Sequence, residues 1–315
     1  MTASFKGLNS LMRHMRASGV AIEGSADKRM LARVGYFHGY KGYRFSGSPS
    51  RRMPYISFGE VTAVIDFDTR LKGLFYPLLM KLEMSMKNLA LVEILDGVGS
   101  SALVDVYASM PGTKKGRMKG KLGVIHFSNG VLLDFYIDGN RIARHYYDST
   151  SGSVPVWALM EVMTLGHFAR FLEQLADADL KSVAQSWGLQ TKYGDLAPHL
   201  VFAMKDLRNC VAHNGMVFDT RFKTAKVRQE ISRLLRDEIG YARTVQVRFD
   251  TISDYVILVV YLARMMGFPK REIRVLIREY ETATEDLFNK VSFGVFSMIV
   301  HPDNRAKVNE LKQWV

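Results

Sequence analysis

Between Val61 and Leu95 the apolar residues return with the period of an α-helix, and Leu71, Leu74, Phe75, Leu78, Leu79, Leu82, Met86, Leu89 and Ala90 mark one face. A stripe of that length needs other helices to cover it, so the expected fold class is mainly α, a helical bundle. Pro77 lies inside the pattern and predicts a kink or break, because it lacks an N–H donor and crowds the preceding turn. Residues 5–34 read as two short helices around Ser18-Gly19 and the polar Glu23–Asp27 segment, and SGSPSRRMP (46–54) reads as a loop. Helical periodicity resumes over 155–175, with Pro155 in the favoured first turn, and continues over about 196–213, 224–240, 251–266 and 269–290. Residues 121–147 change character. There LGVIHF, VLLDFYI and RIARHYY are strand-like runs separated by Asn129-Gly130 and Asp138-Gly139, which favour hairpin turns, so a small β-hairpin insertion is expected.

Composition groups these parts. The chain has 315 residues, 48% of them hydrophobic, which is ample for a packed core. We expect a helical domain over 59–315, carrying a basic loop and the β insertion at about 111–147, preceded by an N-terminal helical, basic and aromatic region over 1–58. A single cysteine excludes a disulfide framework and any multi-cysteine zinc module. The most apolar window, YVILVVYLA (255–263), is bounded by Asp254 and Arg264 and is far shorter than the ~20 residues a spanning helix needs. The N-terminus lacks the apolar run of a signal peptide. A soluble, cytoplasmic protein with no membrane partner is expected.

The charge points to a partner. Lys and Arg number 43 against 31 Asp and Glu, a net charge of +12. No acid occurs from Lys28 to Gly59, where Lys28, Arg29, Arg33, Lys41, Arg44, Arg51 and Arg52 interleave with Tyr36, Phe37, Tyr40, Tyr43, Phe45, Tyr55 and Phe58. A second acid-free run, Val106 to Leu133, holds Lys114, Lys115, Arg117, Lys119 and Lys121. Cations neutralise phosphates and aromatic faces offer stacking surfaces to single-stranded bases, so the pattern predicts nucleic-acid contact. Each aromatic taken singly also fits a core position.

Several chemistries lack their motifs. The histidines, at 14, 38, 126, 145, 167, 199, 213 and 301, show no metal-binding spacing. GVGSSA (97–102) matches a dinucleotide pattern but follows a helical segment instead of a strand. There is no phosphate-binding G-x-x-x-x-G-K-[ST] and no G-x-S-x-G elbow. No metal or other cofactor is expected.

DLRNCVAHNG (206–215) is the informative segment. Arg208, Asn209 and His213 supply a permanent cation, an amide and a base that titrates near neutrality. That set suits cleavage of a phosphodiester by the RNA's own 2′-OH: imidazole moves the proton and guanidinium stabilises the phosphorane-like transition state. Asn209 and His213 share a helical face, so Asn209 can orient the imidazole, whereas Arg208 and His213 lie about 140° apart around a helix. Either the helix ends within the motif, or two copies face each other across a two-fold axis. A plainer reading also holds: Asn214-Gly215 is a helix stop, with His213 stabilising the helix C-terminus. Cys210 reads as a buried packing residue more readily than as a nucleophile.

LRNCVAHNG, GYFHGYKGYRF (35–45), FDTRLKGLF…LEMSMKNLA (67–90), PVWALMEVMTLGHFARF (155–171) and the Met266–Pro269 step together resemble the Abi-like (AbiD/AbiF) abortive-infection proteins, which carry a HEPN ribonuclease domain. The resemblance spans roughly 8–290. It implies a HEPN-type helical bundle, a metal-independent endoribonuclease of bacterial anti-phage defence, and a homodimer that pairs two motifs. It further implies that Arg208 binds the scissile phosphate, His213 is the acid/base, and Asn209 positions it. Glu83 matches an acidic position of the family and would orient Arg208 or His213, with Asn214 in support; a surface pair with Lys87 is the alternative. Where the family often shows Arg four residues after that acid, this chain has Lys87. RNA is the implied substrate, contacted by Arg29, Arg33, Lys41, Arg44, Arg51, Arg52, Lys114, Lys115, Arg117 and Lys119, and a small structured RNA is the implied restraining partner. A non-catalytic RNA-binding regulator using the same basic surface is the competing expectation.

Overall fold

In a computed structural model, which describes residues 7–111, 115–149, 154–242 and 244–315, the two short helices expected before residue 34 are α1 (Leu8–Ala17) and α2 (Gly24–Val34). They meet through Gly19, whose φ of 85° is a left-handed backbone that glycine tolerates best. A π-helical turn (Tyr36–Lys41) and an extended segment lead to α3 (Phe58–Val98), 41 residues and ~60 Å long. Ser57 caps it by accepting from the Glu60 N–H at 3.3 Å, and Glu60 reaches back to accept from the Ile56 N–H at 2.7 Å. α3 passes through Pro77 without a break. Pro77 and Gly73, whose carbonyl loses its helical donor, both lie on the exposed face, where the carbonyl is open to solvent. Gly99 (φ 69°) ends the helix by donating to the Leu95 carbonyl, so GVGSSA is a helix stop and has no strand before it.

After α4 (Leu103–Ser109) the expected β insertion is absent: the chain forms α5 (Lys115–Ile137) and α6 (Arg141–Ser149). Val124, Ser128 and Leu132 are buried four residues apart, a helical spacing hidden beneath the strand-like composition. Asn129-Gly130 lies inside α5 and makes no turn. Asp138-Gly139 does turn, but between helices. Gly139 has φ 80°, and the Asn140 side chain accepts from the Ile142 and Ala143 N–H groups to start α6. Among the described residues there is no sheet, only isolated bridges Ala21–Ser57, Phe45–Arg52 and Ala102–Pro155.

The 155–175 pattern divides into α7 (Val156–Val162), with Pro155 just before its first residue, and α8 (Leu165–Leu172), capped by Thr164. Then follow α9 (Asp177–Ser186), α10 (Ala197–Ala212), α11 (Gln229–Ile239), α12 (Ile252–Met265), α13 (Lys270–Lys290), α14 (Phe293–Ile299) and α15 (Asn304–Trp314). Every residue of α12 from Ile252 to Ala263 is buried, so the apolar window is the central core helix. No helix among the described residues is long and apolar enough to cross a membrane.

α13 packs along α3 with its charges sorted by face. Glu272, Glu279 and Asp286 turn toward α3 and pair with Lys81 and Arg70. The C-terminal α15 is tied to α12 by a buried pair, Lys307 Nζ to Asp254 Oδ1 at 2.8 Å. One core cluster runs from Met12 to Val315 and includes Tyr40, Tyr43, Met53 and Tyr55 of the N-terminal region.

Candidate active site

α10 carries the motif. Its apolar side, Leu200, Val201, Met204, Leu207 and Val211, is buried and packs on α3, α8 and α12, which leaves Lys205, Arg208 and Asn209 toward the outside. Ala212 is the last helical residue, so the helix ends within the motif. His213 follows at φ −97°, and Asn214 adopts a left-handed φ of 54°. The Gly215 N–H then donates to the Cys210 carbonyl at 2.7 Å and the Asn214 N–H to the Val211 carbonyl at 3.3 Å, the paired bonds of a Schellman stop. Gly215 is required here, since a Cβ would come within 2.6 Å of Cys210 Sγ. The stop leaves the His213 side chain exposed.

Arg208 and His213 are presented differently. The Arg208 Nε donates to Glu83 Oε2 of α3 at 2.6 Å, and its Nη1 donates to the Asn209 side-chain oxygen at 3.3 Å. Glu83 Oε1 meets Lys87 Nζ at 3.2 Å, and Lys87 also donates to the Met163 carbonyl at 2.5 Å. Glu83 therefore makes both the contact to Arg208 and the i+4 pair to Lys87. It locks the guanidinium from its Nε side and leaves the Nη2 end without a hydrogen bond among the described residues. The Asn209 amide serves Arg208, and only its backbone carbonyl reaches His213, accepting from the N–H at 3.0 Å.

Behind the motif lie two residues that motif reading passes over. Asp68 of α3 is fully buried and accepts from the Val217 and Phe218 N–H groups, each at 2.6 Å, and from the Tyr43 hydroxyl at 2.7 Å. Lys72 meets Asp68 at 3.1 Å and donates to the Asn214 side-chain oxygen at 2.8 Å. Together they fix the strand of chain leaving the helix stop. The signal was available: Asp68 interrupts the apolar stripe between Val64 and Leu71, and an acid there has backbone donors to satisfy. Cys210 donates from Sγ to the Met216 carbonyl at 3.3 Å, and burial, with the nearby Asp68 charge, pushes its thiol up to about 12. It is a packing residue.

The basic stretches fare unevenly. Arg29, Arg33, Lys41, Arg51 and Arg52 are exposed, while Arg44 is half-buried with its guanidinium over the Tyr40 and Phe45 rings. Tyr40, Tyr43, Tyr55 and Phe58 are buried, which removes them as stacking surfaces for bases. They are apolar anchors of the N-terminal region on α3, with the polar ends of Tyr43 and Tyr55 satisfied by Asp68 and the Tyr43 carbonyl. The expected basic loop is a helix from Lys115 onward, so Lys115, Arg117 and Lys119 belong to α5, and Lys114 lies outside the described residues. No cluster of three or more His, Cys, Asp or Glu residues suited to a metal occurs among the described residues.

The matched features lie between the N-terminal region and the segment just past the helix stop. A family model for Abi-like proteins matches residues 29–219. The chain belongs to the Abi-like family. This membership connects it with abortive infection. The matched stretch of this Abi-like protein contains α3 with Glu83 and all of the α10 motif, and ends at Asp219, whose carboxylate accepts from the Gly47 N–H at 3.0 Å. No curated protein and no solved structure matches the chain.

Proposed function

We propose that this Abi-like protein is a metal-independent endoribonuclease of HEPN type that acts in anti-phage abortive infection. The supporting observation is that an anchored Arg208 and an exposed His213 stand on either side of one helix end. A guanidinium held by Glu83 presents its free edge to a phosphate without first having to be ordered. An exposed imidazole at the helix end can take the 2′-OH proton or protonate the 5′-oxygen leaving group. The nucleophile comes with the substrate, so the reaction needs no metal to generate one. Arg208 and His213 make no hydrogen bond to each other within the described chain. Two copies brought together about a two-fold axis would place the Arg208 of one protomer against the His213 of its partner, and we assign the substrate to that composite site.

The test is incubation of purified protein with labelled RNA in EDTA, beside Arg208→Ala and His213→Ala. Wild type should leave 2′,3′-cyclic phosphate ends, and each variant should be slower by roughly a hundredfold to ten-thousandfold. Unchanged cleavage in both variants refutes the site. Salt-sensitive RNA binding without cleavage by wild type points to the regulator instead.

A further inference from the structure

α10 and α11 flank a groove that the motif does not account for. One end is a cavity of about 430 Å³ whose wall carries Lys226, Arg233, Arg236 and Arg248. A second cavity of about 300 Å³ adjoins it, and Lys226 and Val227 line both. The second cavity reaches α10 at His199, Phe202 and Lys205. Lys205 precedes Arg208 by one helical turn, so the groove opens onto the helix face that carries Arg208.

The chemistry differs along the groove. Lys226, Arg233 and Arg248 are exposed and make no ion pair among the described residues. Two of the acids nearby are already engaged: Asp206 accepts from the Thr224 N–H at 2.8 Å and pairs with Lys205 at 3.1 Å, and Asp250 faces Lys223 at 3.7 Å, while Asp195 and Glu230 act on His199. Near α10 the floor turns aromatic, with half-buried His199 and Phe202 one turn apart. Burial, with the Arg228 charge, lowers the His199 pKa, against the opposing charges of Asp195 and Glu230. A cationic rim leading to an aromatic floor is the arrangement that takes a single strand, phosphates on the rim and bases against the rings.

We propose that this groove binds the backbone of single-stranded RNA and leads it to Arg208. The inference rests on the ribonuclease reading of the motif for its choice of RNA. Most of the groove lies beyond residue 219, past the family-matched segment. It would therefore set how this chain holds RNA outside the shared site.

The experiment measures binding apart from turnover. A short single-stranded RNA, 2′-O-methylated throughout so that it cannot be cleaved, is titrated by fluorescence anisotropy at several salt concentrations. The proteins are wild type, a groove triple (Arg233→Gln, Arg236→Gln, Arg248→Gln) and a control triple on α13 (Arg271→Gln, Arg274→Gln, Arg278→Gln). The control removes the same charge from a different surface and separates the groove from bulk electrostatics. The groove triple should bind about tenfold or more weakly, with the log–log salt slope shallower by about two, while the control stays within about twofold of wild type. Matching thermal melts establish that both triples are folded. Equal losses in the two triples, an unchanged groove triple, or no RNA binding by wild type would each overturn the groove. If wild type fails to cut unmodified RNA while the groove triple still loses binding, the nuclease reading fails and the groove stands.

Discussion

At Arg208 a single carboxylate decides how the guanidinium is offered, and two residues further on Cys210 shows the opposite use of burial. The thiol is packed under the helix stop, donates to the Met216 carbonyl, and is raised to about 12 by burial and the neighbouring Asp68. Thiolate is the reactive species, so at pH 8 the native protein should react with iodoacetamide roughly a thousandfold more slowly than unfolded chain. Cys210→Ser should leave RNA cleavage within about threefold of wild type, since the side chain faces the interior and not the motif's exposed side. Rapid alkylation of folded protein, followed by mass spectrometry, would contradict this placement. At this scale much was readable in the sequence: Arg208, Asn209, His213 and Glu83 stand out by chemistry, spacing and resemblance. Lys72 does not, and Asp68 shows only as an acid interrupting the apolar stripe, because its partners are the Val217 and Phe218 N–H groups, 149 and 150 residues away. No local pattern records which distant amides a buried carboxylate will meet.

Among the elements, α3 was legible from its period alone, and its start shows why the ends of helices carry more information than their middles. Glu60 accepts from the Ile56 N–H and the Ser292 N–H, each at 2.7 Å, and so joins the α3 start to the segment opening α14. Burial opposes its ionisation, but these backbone donors outweigh it and hold the carboxyl below its usual value. For a depressed acid the unfolded state binds the proton first as pH falls. The stabilisation is therefore fully present above the ordinary glutamate value near 4.5 and drains away as pH drops through the lower folded value. Glu60→Gln should cost about 1–2 kcal/mol at pH 7, read by urea melts, and the difference from wild type should shrink toward pH 3. A difference that stays constant over that range would show that the charge is not what matters. The α5–α6 region was misread for a related reason. Its β-branched and aromatic residues suit strands, and Asn-Gly suggests a hairpin, but burial at Val124, Ser128 and Leu132 follows the helix that packs beside α6 and α7. Tertiary packing overrode the strand reading that local composition favoured. Asp138-Gly139 marked the turn itself, and the cap at Asn140 marked that a helix follows it.

For the whole molecule, the N-terminal basic region and the groove between α10 and α11 place cations on separate parts of one chain whose core is continuous from Met12 to Val315. The +12 charge is thus distributed over a single body instead of being confined to a detachable arm. Within the described residues Arg208 and His213 make no hydrogen bond to each other. In the two-fold pair proposed above, each site would take Arg208 from one copy and His213 from the other. That arrangement has a consequence a site within one chain cannot mimic. Arg208→Ala dimers lack the cation in both sites, and His213→Ala dimers lack the imidazole in both. In a mixed dimer one site has lost both groups, while the other takes its arginine from the His213→Ala copy and its histidine from the Arg208→Ala copy, and is whole. Equal mixing with free subunit exchange makes half the dimers mixed, each with one good site of two, so about a quarter of wild-type cleavage should return. Light scattering should show a dimer, and cleavage is measured before and after the two inactive variants are mixed. Recovery in the mixture identifies a shared site, whereas a mixture as inactive as its parts, with exchange verified by differently tagged chains, would place the whole reaction within one protomer and remove the two-fold site.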